Sequence, residues 1–444
     1  MDKKLRLVNV IKYMIIILLI TAVQLGLLIS VALIPRHAIQ TNVNKSADYL
    51  LERSVFFYLN SDDISSRIDR YADSIILNIA YNYDSEHPLA SVMSSSYYFT
   101  DTANENENLK VSVTEQPDTT TDYVRYWHGS NVIIRPLLTF LDIQHMYILN
   151  AILLILLLVI TFILINKYFN IGTALCFAIG VVMISPWYVP FSLEYTWTIL
   201  FMLVASIFIL KIKEKSSFSL TAFFLIVGSF TAYFDFLTTE TLTLTIPLTL
   251  LLCYKHSVAE IPDLKSGIKF SCSMALFWLI GYASAWITKW TLASIVLQKN
   301  VFTSSIDQAQ YRINGAIDSA NGLSRCISAI LRNIACLFPF SYQKNSGAAL
   351  FIIIMIILIS VYYVTKKKTG CYMSTLFFLL SLLPFVRFFF LSNHSYIHYF
   401  FTYRALLSTV FCIGLAMMYG VDWEHIAKKS KSHKQTKAHR KRNH

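Results

Sequence analysis

Charge is scarce in this chain: Asp, Glu, Lys and Arg make up 14% of 444 residues, against 55% hydrophobic ones. A soluble fold of this length carries more surface charge and far less apolar sequence, and a mean hydropathy of +0.52 points the same way. Glycine is sparse too, at 13, and no internal repeat stands out. Both facts argue against the paired, Gly/Pro-interrupted spans of many transporters. Cysteine offers no framework: Cys176, Cys253, Cys272, Cys371 and Cys412 fall in or beside apolar runs, as small packing residues do. Cys326 and Cys336 share one segment and could pair, but their spacing is not diagnostic. Missing altogether are a Walker A loop, a GxGxxG turn opening a helix after a strand, HExxH and GxSxG. Nucleotide chemistry has no cytoplasmic domain to occupy.

What fills the sequence is apolar runs of about 20 residues, the length that crosses a bilayer as a helix. The chain reads as an all-α integral membrane protein with about ten transmembrane helices and a long outer loop, containing amphipathic helices, after the first span. The expected spans are 13–34, 146–166, 170–189, 195–211, 218–235, 237–254, 268–289, 347–365, 371–391 and 399–420. The first run exceeds a signal-peptide core and shows no small-residue cleavage site before Pro35, so it is expected to be retained. Basic residues mark alternate short connections: Lys3, Lys4, Arg6 and Lys12; Lys167; Lys211, Lys213 and Lys215; Lys255, Lys265 and Lys269; Lys366, Lys367 and Lys368. A polybasic stretch, Lys428–Arg442, follows the last run. Such connections stay cytoplasmic, which places both termini inside what reads as a bacterial plasma membrane. The net charge of +12 is then a matter of orientation and anionic lipid, not of nucleic acid.

The resulting plan has a basic N-terminus (1–12), a first span (13–34), an extracytoplasmic loop domain (35–145) and spans two to seven (146–289). A second extracytoplasmic segment (290–346), spans eight to ten (347–420) and a basic tail (421–444) complete it. In the first loop, residues 62–80 carry helical periodicity. Ile64, Ile68, Tyr71, Ile75 and Ile79 share one face and Asp62, Asp69 and Asp73 the opposite one, with Ser61 as N-cap. This predicts a surface helix holding its acids toward water. Residues 101–122 are polar and read as a flexible loop.

Four constellations converge on the outer side. Asp69 and Asp73, one helical turn apart, could take a proton from an attacking hydroxyl or hold a divalent cation such as Mg or Mn. The stretch Tyr123–Pro136 supplies Arg125 and Arg135 for phosphate, His128 for a proton, and Tyr126 and Trp127, which also suit an interfacial belt. The hairpin YFDFLTTE places Asp235 and Glu240 at span ends, with Glu194 a weaker case of the same kind. Late in the chain stand Lys289, Arg387 and Arg404; a guanidinium in a span needs an acid such as Asp235 or Glu240, or a lipid phosphate. His394 and His398 are one turn apart, a metal-compatible spacing without an identifiable third ligand.

This plan resembles the GT-C glycosyltransferases: a first span, a long outer loop with an acid near its start, then a bundle of short-looped spans. The motif-level likeness rests on DRYAD (Asp69–Asp73) and WHGSNVIIRPLL, while YFDFLTTE and HYFFTYR resemble stretches of poorly characterised bacterial multispanning proteins. The resemblance implies transfer of a sugar from a polyprenyl-phosphate donor to a glycan or other cell-envelope acceptor. Asp69 is then the expected base and Asp73 the second choice. Arg125, Lys289, Arg387 and Arg404 would bind phosphate, with His128 and His394 assisting. The Asp-Glu and Glu-Arg-Asp patterns of some members after the first span are not found. A glycan polymerase or ligase, and a lipid-linked glycan flippase, are the alternatives.

Overall fold

The computed structural model describes residues 3–315, 322–338, 346–367 and 371–423. The stretch Lys428–Arg442 and Lys368 lie outside them. The first helix, α1 (Lys3–Ala32), ends where Pro35, in an extended conformation, opens α2 (Arg36–Leu51). Four more helices complete the first loop: α3 (Arg70–Asn82), α4 (Pro88–Ser94), α5 (Glu105–Thr114) and α6 (Asn131–Leu137). Two short antiparallel pairs brace them, β1 (Phe56–Tyr58) with β2 (Arg67–Asp69) and β3 (Ser96–Tyr97) with β4 (Thr121–Asp122). This loop is a folded layer over the end of the bundle. Ile39, Val43, Leu77, Leu109 and Val113 are fully buried in the same core as the bundle residues Met146 and Leu203.

Two expectations for the loop are corrected here. Residues 62–80 do not form one surface helix. A 3₁₀ turn (Ile64–Ser66) and β2 come first, and α3 starts at Arg70 with Asp69, not Ser61, as its N-cap. Its acids face inward, for Asp69 and Asp73 are both buried. The stretch 101–122 is not a flexible loop either. Asn104 and Glu107 close a capping box on α5, whose residues Leu109 and Val113, four apart, bury one face. Polar composition concealed a helix whose start is fixed by side-chain capping.

The bundle follows: α7 (Ile143–Tyr168), α8 (Ile171–Met183), α9 (Thr196–Ile212), α10 (Ser217–Phe234), α11 (Leu242–Ser257) and α12 (Leu264–Leu297). Then come α13 (Val301–Asn314), α14 (Gly322–Ala335), α15 (Ser346–Thr365), α16 (Tyr372–Leu380), α17 (Leu383–Phe390), α18 (Ser392–Ile397), α19 (Tyr399–Thr402) and α20 (Leu407–Gly420). Among the described residues, 7 helical stretches are long and apolar enough to cross a bilayer, not ten. The expected spans at 170–189, 195–211 and 237–254 are α8, α9 and α11, of 13, 17 and 16 residues. At 1.5 Å per residue these reach only about 20–26 Å, short of a hydrocarbon core of roughly 30 Å. Hydropathy alone does not separate a lipid-facing span from a helix buried in the bundle. Every residue of α11 from Leu242 to Cys253 is buried.

Lipid-facing character shows where apolar residues stay exposed, as at Leu18, Leu19, Ile152, Ile155, Ile163, Ile353 and Ile356. Bundle packing is closest between α10 and α12. A Cβ on Gly228 would sit 1.9 Å from the Trp278 carbonyl oxygen, and one on Gly281 1.9 Å from that of Leu225. Two hydrogens therefore set the helix separation, as small residues do in membrane bundles. Cys326 and Cys336 are both free thiols, so the possible pairing is not made.

Candidate functional site

The N-terminus of α3 builds one wall of the site. Asp69 Oδ1 accepts the Ala72 N–H at 2.9 Å, which caps the helix and fixes the carboxyl in the wall of a cavity. Burial raises this carboxyl from 3.8 to about 6, against the lowering pull of the Ala72 N–H and the Arg67 charge. One turn on, Asp73 does not reach the cavity. Its Oδ1 accepts the Leu193 N–H at 2.7 Å and its Oδ2 the Tyr147 hydroxyl. Both oxygens are committed, so Asp73 is a clamp between α3, α7 and the turn before α9. That turn places Glu194 in the cavity wall with its Oε2 buried and without a hydrogen-bond partner in the described residues. Burial, then the Asp69, Asp235 and Asp73 charges, push the Glu194 carboxyl well above its usual range.

The opposite wall is basic and aromatic. Arg125 lies 4.3 Å from the Tyr123 ring and 5.5 Å from that of Tyr126. Arg312, on α13, donates from Nη1 to His394 Nδ1 at 2.8 Å, and His394 Nε2 lies 2.9 Å from the Leu237 carbonyl. With an arginine donor on one nitrogen and a carbonyl on the other, His394 is neutral and protonated at Nε2. Both nitrogens are occupied, so the His394–His398 pair, with rings 4.6 Å apart, is not a ready metal site. His128 adopts a left-handed backbone (φ 55) and gives its Nε2 hydrogen to the Tyr123 carbonyl at 3.0 Å. Burial, with Lys289 nearby, lowers His128 to about 3; burial, with Arg312 and Arg387, does the same for His398. All three histidines are thus neutral at physiological pH. Among the described residues no group of three or more His, Cys, Asp or Glu could hold a metal ion.

These residues enclose a cavity of about 440 Å³, whose wall includes Asp69, Glu194, Arg125, Arg312, Tyr126 and His128. Beside it runs an almost wholly apolar groove of about 240 Å³ lined by Tyr282, Trp286, Trp290, Ile313 and Leu391. The two share Arg125, Tyr126 and Arg312. A cationic gate therefore separates a polar chamber from an aromatic trough. No family model, curated protein or solved structure matches this chain. Function has to be read from the chamber itself.

Several expected site residues lie elsewhere. Arg135 is fully buried and donates to the Ala80, Ile34 and Tyr83 carbonyls, pinning α6 to α1 and α3. Lys289 donates to the Val92 and Met93 carbonyls at 2.9 and 3.0 Å, tying α12 to the end of α4. Asp235 accepts from Thr198 Oγ1 (2.8 Å), the Thr238 hydroxyl and the Thr238 N–H, shaping the turn between α10 and α11. Glu240 pairs with Arg387 at 2.9 Å, both nearly inaccessible, and Arg387 also donates to Ser395 Oγ and the Leu237 carbonyl. Arg404 donates to the Phe400 carbonyl and lies 4.7 Å from the Tyr195 ring. Trp127 is buried, not interfacial, at 1% exposed, and Tyr126, which does line the chamber, is likewise buried at 2%. Trp127 gives its indole N–H to the Ala285 carbonyl at 2.8 Å.

One residue of the chamber, Arg312, escaped the sequence reading, and another, Glu194, stood there only as a weaker case. Glu194 was visible as an acid in a tight turn but had no motif. Arg312 falls in the long segment 290–346, where its only signal is a helical stretch behind the N-cap Asn300. Its arrival at the gate is a tertiary event.

Proposed function

We propose that this protein is a membrane glycosyltransferase of the kind the GT-C enzymes represent, moving a sugar from a polyprenyl-phosphate donor to a cell-envelope acceptor on the outer face. The observation that carries the reading is the shared gate. A prenyl chain suits the aromatic trough, the phosphate suits Arg125 and Arg312, and the sugar then falls in the chamber beside Asp69. The acceptor oxygen bonds to the anomeric carbon as the bond from that carbon to the phosphate oxygen breaks. The electron pair leaves on the phosphate, and the acceptor proton passes to Asp69. A carboxyl near 6 is ionised at neutral pH yet basic enough to help, a contribution of roughly 10²–10⁴-fold. Neutralising the leaving phosphate adds to this.

In this reading about ten apolar helices, the shorter three included, alternate across the plasma membrane with both termini cytoplasmic. The basic inner connections support that orientation, and the chamber then opens outward. The test is transfer of labelled sugar from a polyprenyl-phosphate donor by the purified protein in micelles. The rate should rise through about pH 6 and then level, and Asp69→Asn should lower it by two to four orders of magnitude. Full transfer by Asp69→Asn would sink the assignment.

A further inference from the structure

One part of the chamber wall is not used by the donor. Phe56, Asp69 and Tyr71 line the chamber but not the aromatic trough. Two backbone bonds fix this part, for the Val55 carbonyl accepts the Arg70 N–H at 2.8 Å and the Tyr71 N–H at 3.2 Å. In the β1–β2 pair Phe56 stands directly opposite Asp69, so both side chains project from the same face. The Phe56 ring stacks on that of Tyr71, with centroids 5.7 Å apart and planes 12° off parallel. The result is an aromatic shelf beside the base.

The shelf is left open. Tyr71 is 39% exposed, and among the described residues no ring other than Phe56 packs on it. Tyr311 is also open in the chamber wall, but it adjoins Arg312 on the donor side. Around Tyr71 the rim is acidic. Its hydroxyl lies by the Glu105 carboxyl, at the start of α5, and favours the charged form that burial opposes. The Glu105 charge reaches Asp69 in turn. Arg67 lies over the Phe56 and Phe400 rings, 4.4 and 4.6 Å from their centroids. An aromatic face rimmed by carboxylates suits a ring that is apolar on its flat side and carries hydroxyl donors at its edge. A sugar is such a ring: its axial C–H groups meet the π face and its hydroxyls donate to carboxylates. An anionic chain would meet Asp69, Glu105 and Glu194 instead.

We propose that the Phe56–Tyr71 shelf, with Glu105 at its rim, is the acceptor subsite, and that the acceptor is an uncharged glycan. Its terminal sugar stacks on Tyr71 and holds one hydroxyl at Asp69. Glycan binding stands on the shelf and its rim alone, whereas the acceptor role rests on the transfer reading above. There the bond changes are those already given, with the glycan hydroxyl supplying oxygen and proton.

The experiment passes the full chain in micelles, without donor, over immobilised uncharged gluco-, galacto-, manno- and rhamno-oligosaccharides, beside uronic-acid and phosphorylated ones. An uncharged oligosaccharide should bind best. Tyr71→Ala should weaken that binding about tenfold, and Tyr71→Phe, which keeps the ring, should restore most of it. Glu105→Gln should weaken it roughly tenfold as well, and carries the test where Tyr71→Ala does not fold. Preference for a charged oligosaccharide, no binding across the panel, or unchanged binding by folded Tyr71→Ala or Glu105→Gln would each overturn the subsite. So would an equal loss in Tyr71→Phe and Tyr71→Ala. With labelled polyprenyl-phosphate sugar, label should move to the oligosaccharide that binds. Label passing only to water or to membrane lipid would overturn the acceptor role while leaving the donor reading intact; label never leaving the donor would instead break the transfer reading.

Discussion

Replacing Asp69 with Asn separates the charge of this carboxyl from its cap. Asn accepts a first-turn N–H as well as Asp does, so the bond to Ala72 at 2.9 Å and the start of α3 are kept. What disappears is a charge whose pKa burial raises from 3.8 to about 6. Between those values the folded chain keeps a proton that the unfolded chain has already released. Stability therefore falls as pH rises through this window and stays lowered above it. At about 1.4 kcal/mol per pH unit the gap amounts to about 3 kcal/mol. Asp69→Asn should thus be more stable than the wild type by about 2–3 kcal/mol at pH 7.5 and unchanged near pH 4. Denaturant unfolding in mixed micelles at the two pH values measures this directly. A gain of equal size at both would mean that charge burial is not the source, and a loss at pH 7.5 would mean that the carboxylate is stabilised where it lies. Either refutes the reasoning. A stability gain paired with lost transfer is the mark of a group kept for chemistry rather than for folding.

Arg312→Ala should lower kcat/KM for the donor roughly 10–100-fold, the worth of about 1.5–3 kcal/mol for a charged hydrogen bond, with Arg312→Lys restoring only part of it. Breaking the Glu240–Arg387 pair by Arg387→Met should cost about 3–5 kcal/mol, because Glu240 is left charged and buried. The double change Glu240→Gln with Arg387→Met should recover much of that loss in the same unfolding assay. Gly281→Ala should force α10 and α12 apart, since its Cβ would lie 1.9 Å from the Leu225 carbonyl oxygen. The cost expected for such overpacking is about 1–3 kcal/mol, read as a lower unfolding midpoint in micelles.

Apolar run length and composition made the helical membrane class legible, because the lipid requirement acts on every residue of a span. It could not tell α11, enclosed by other helices, from a lipid-facing span such as α7, since both are predominantly apolar. Periodicity found the region of α3 but turned it round. The sequence pairs Ile75 with Asp69 and Asp73 as inside and outside faces, whereas the loop layer buries both sides. Asp69 and Arg125 could be singled out because acid and arginine beside a membrane are costly and so informative. Glu194 could be marked only as a weaker case and Arg312 not at all, because their meaning comes only from the turn that Asp73 holds and from the way α13 crosses the chamber.

One rule sorts the cations of this chain. A guanidinium or ammonium out of water needs acceptors, and the protein provides them in most places: Glu240 for Arg387, the α4 end for Lys289, three carbonyls for Arg135. Arg404 has one carbonyl and two aromatic faces, with its Nε and Nη2 meeting no acceptor among the described residues. It does not border the chamber, so its charge bears on the fold around Tyr195. Arg125 and Arg312 differ from all of these. Neither forms an ion pair among the described residues, and both border open space on two sides. Carboxylates lie within the same chamber, yet the arginines turn to aromatic rings and to His394, which leaves their positive charge uncancelled. In the proposed transfer reading, two uncancelled cations between an apolar trough and a chamber with a raised carboxyl suit a ligand with an anion between an oily part and a polar part. That is why the proposal takes a lipid phosphate bearing a sugar, rather than a neutral glycan or a free sugar phosphate, as the donor.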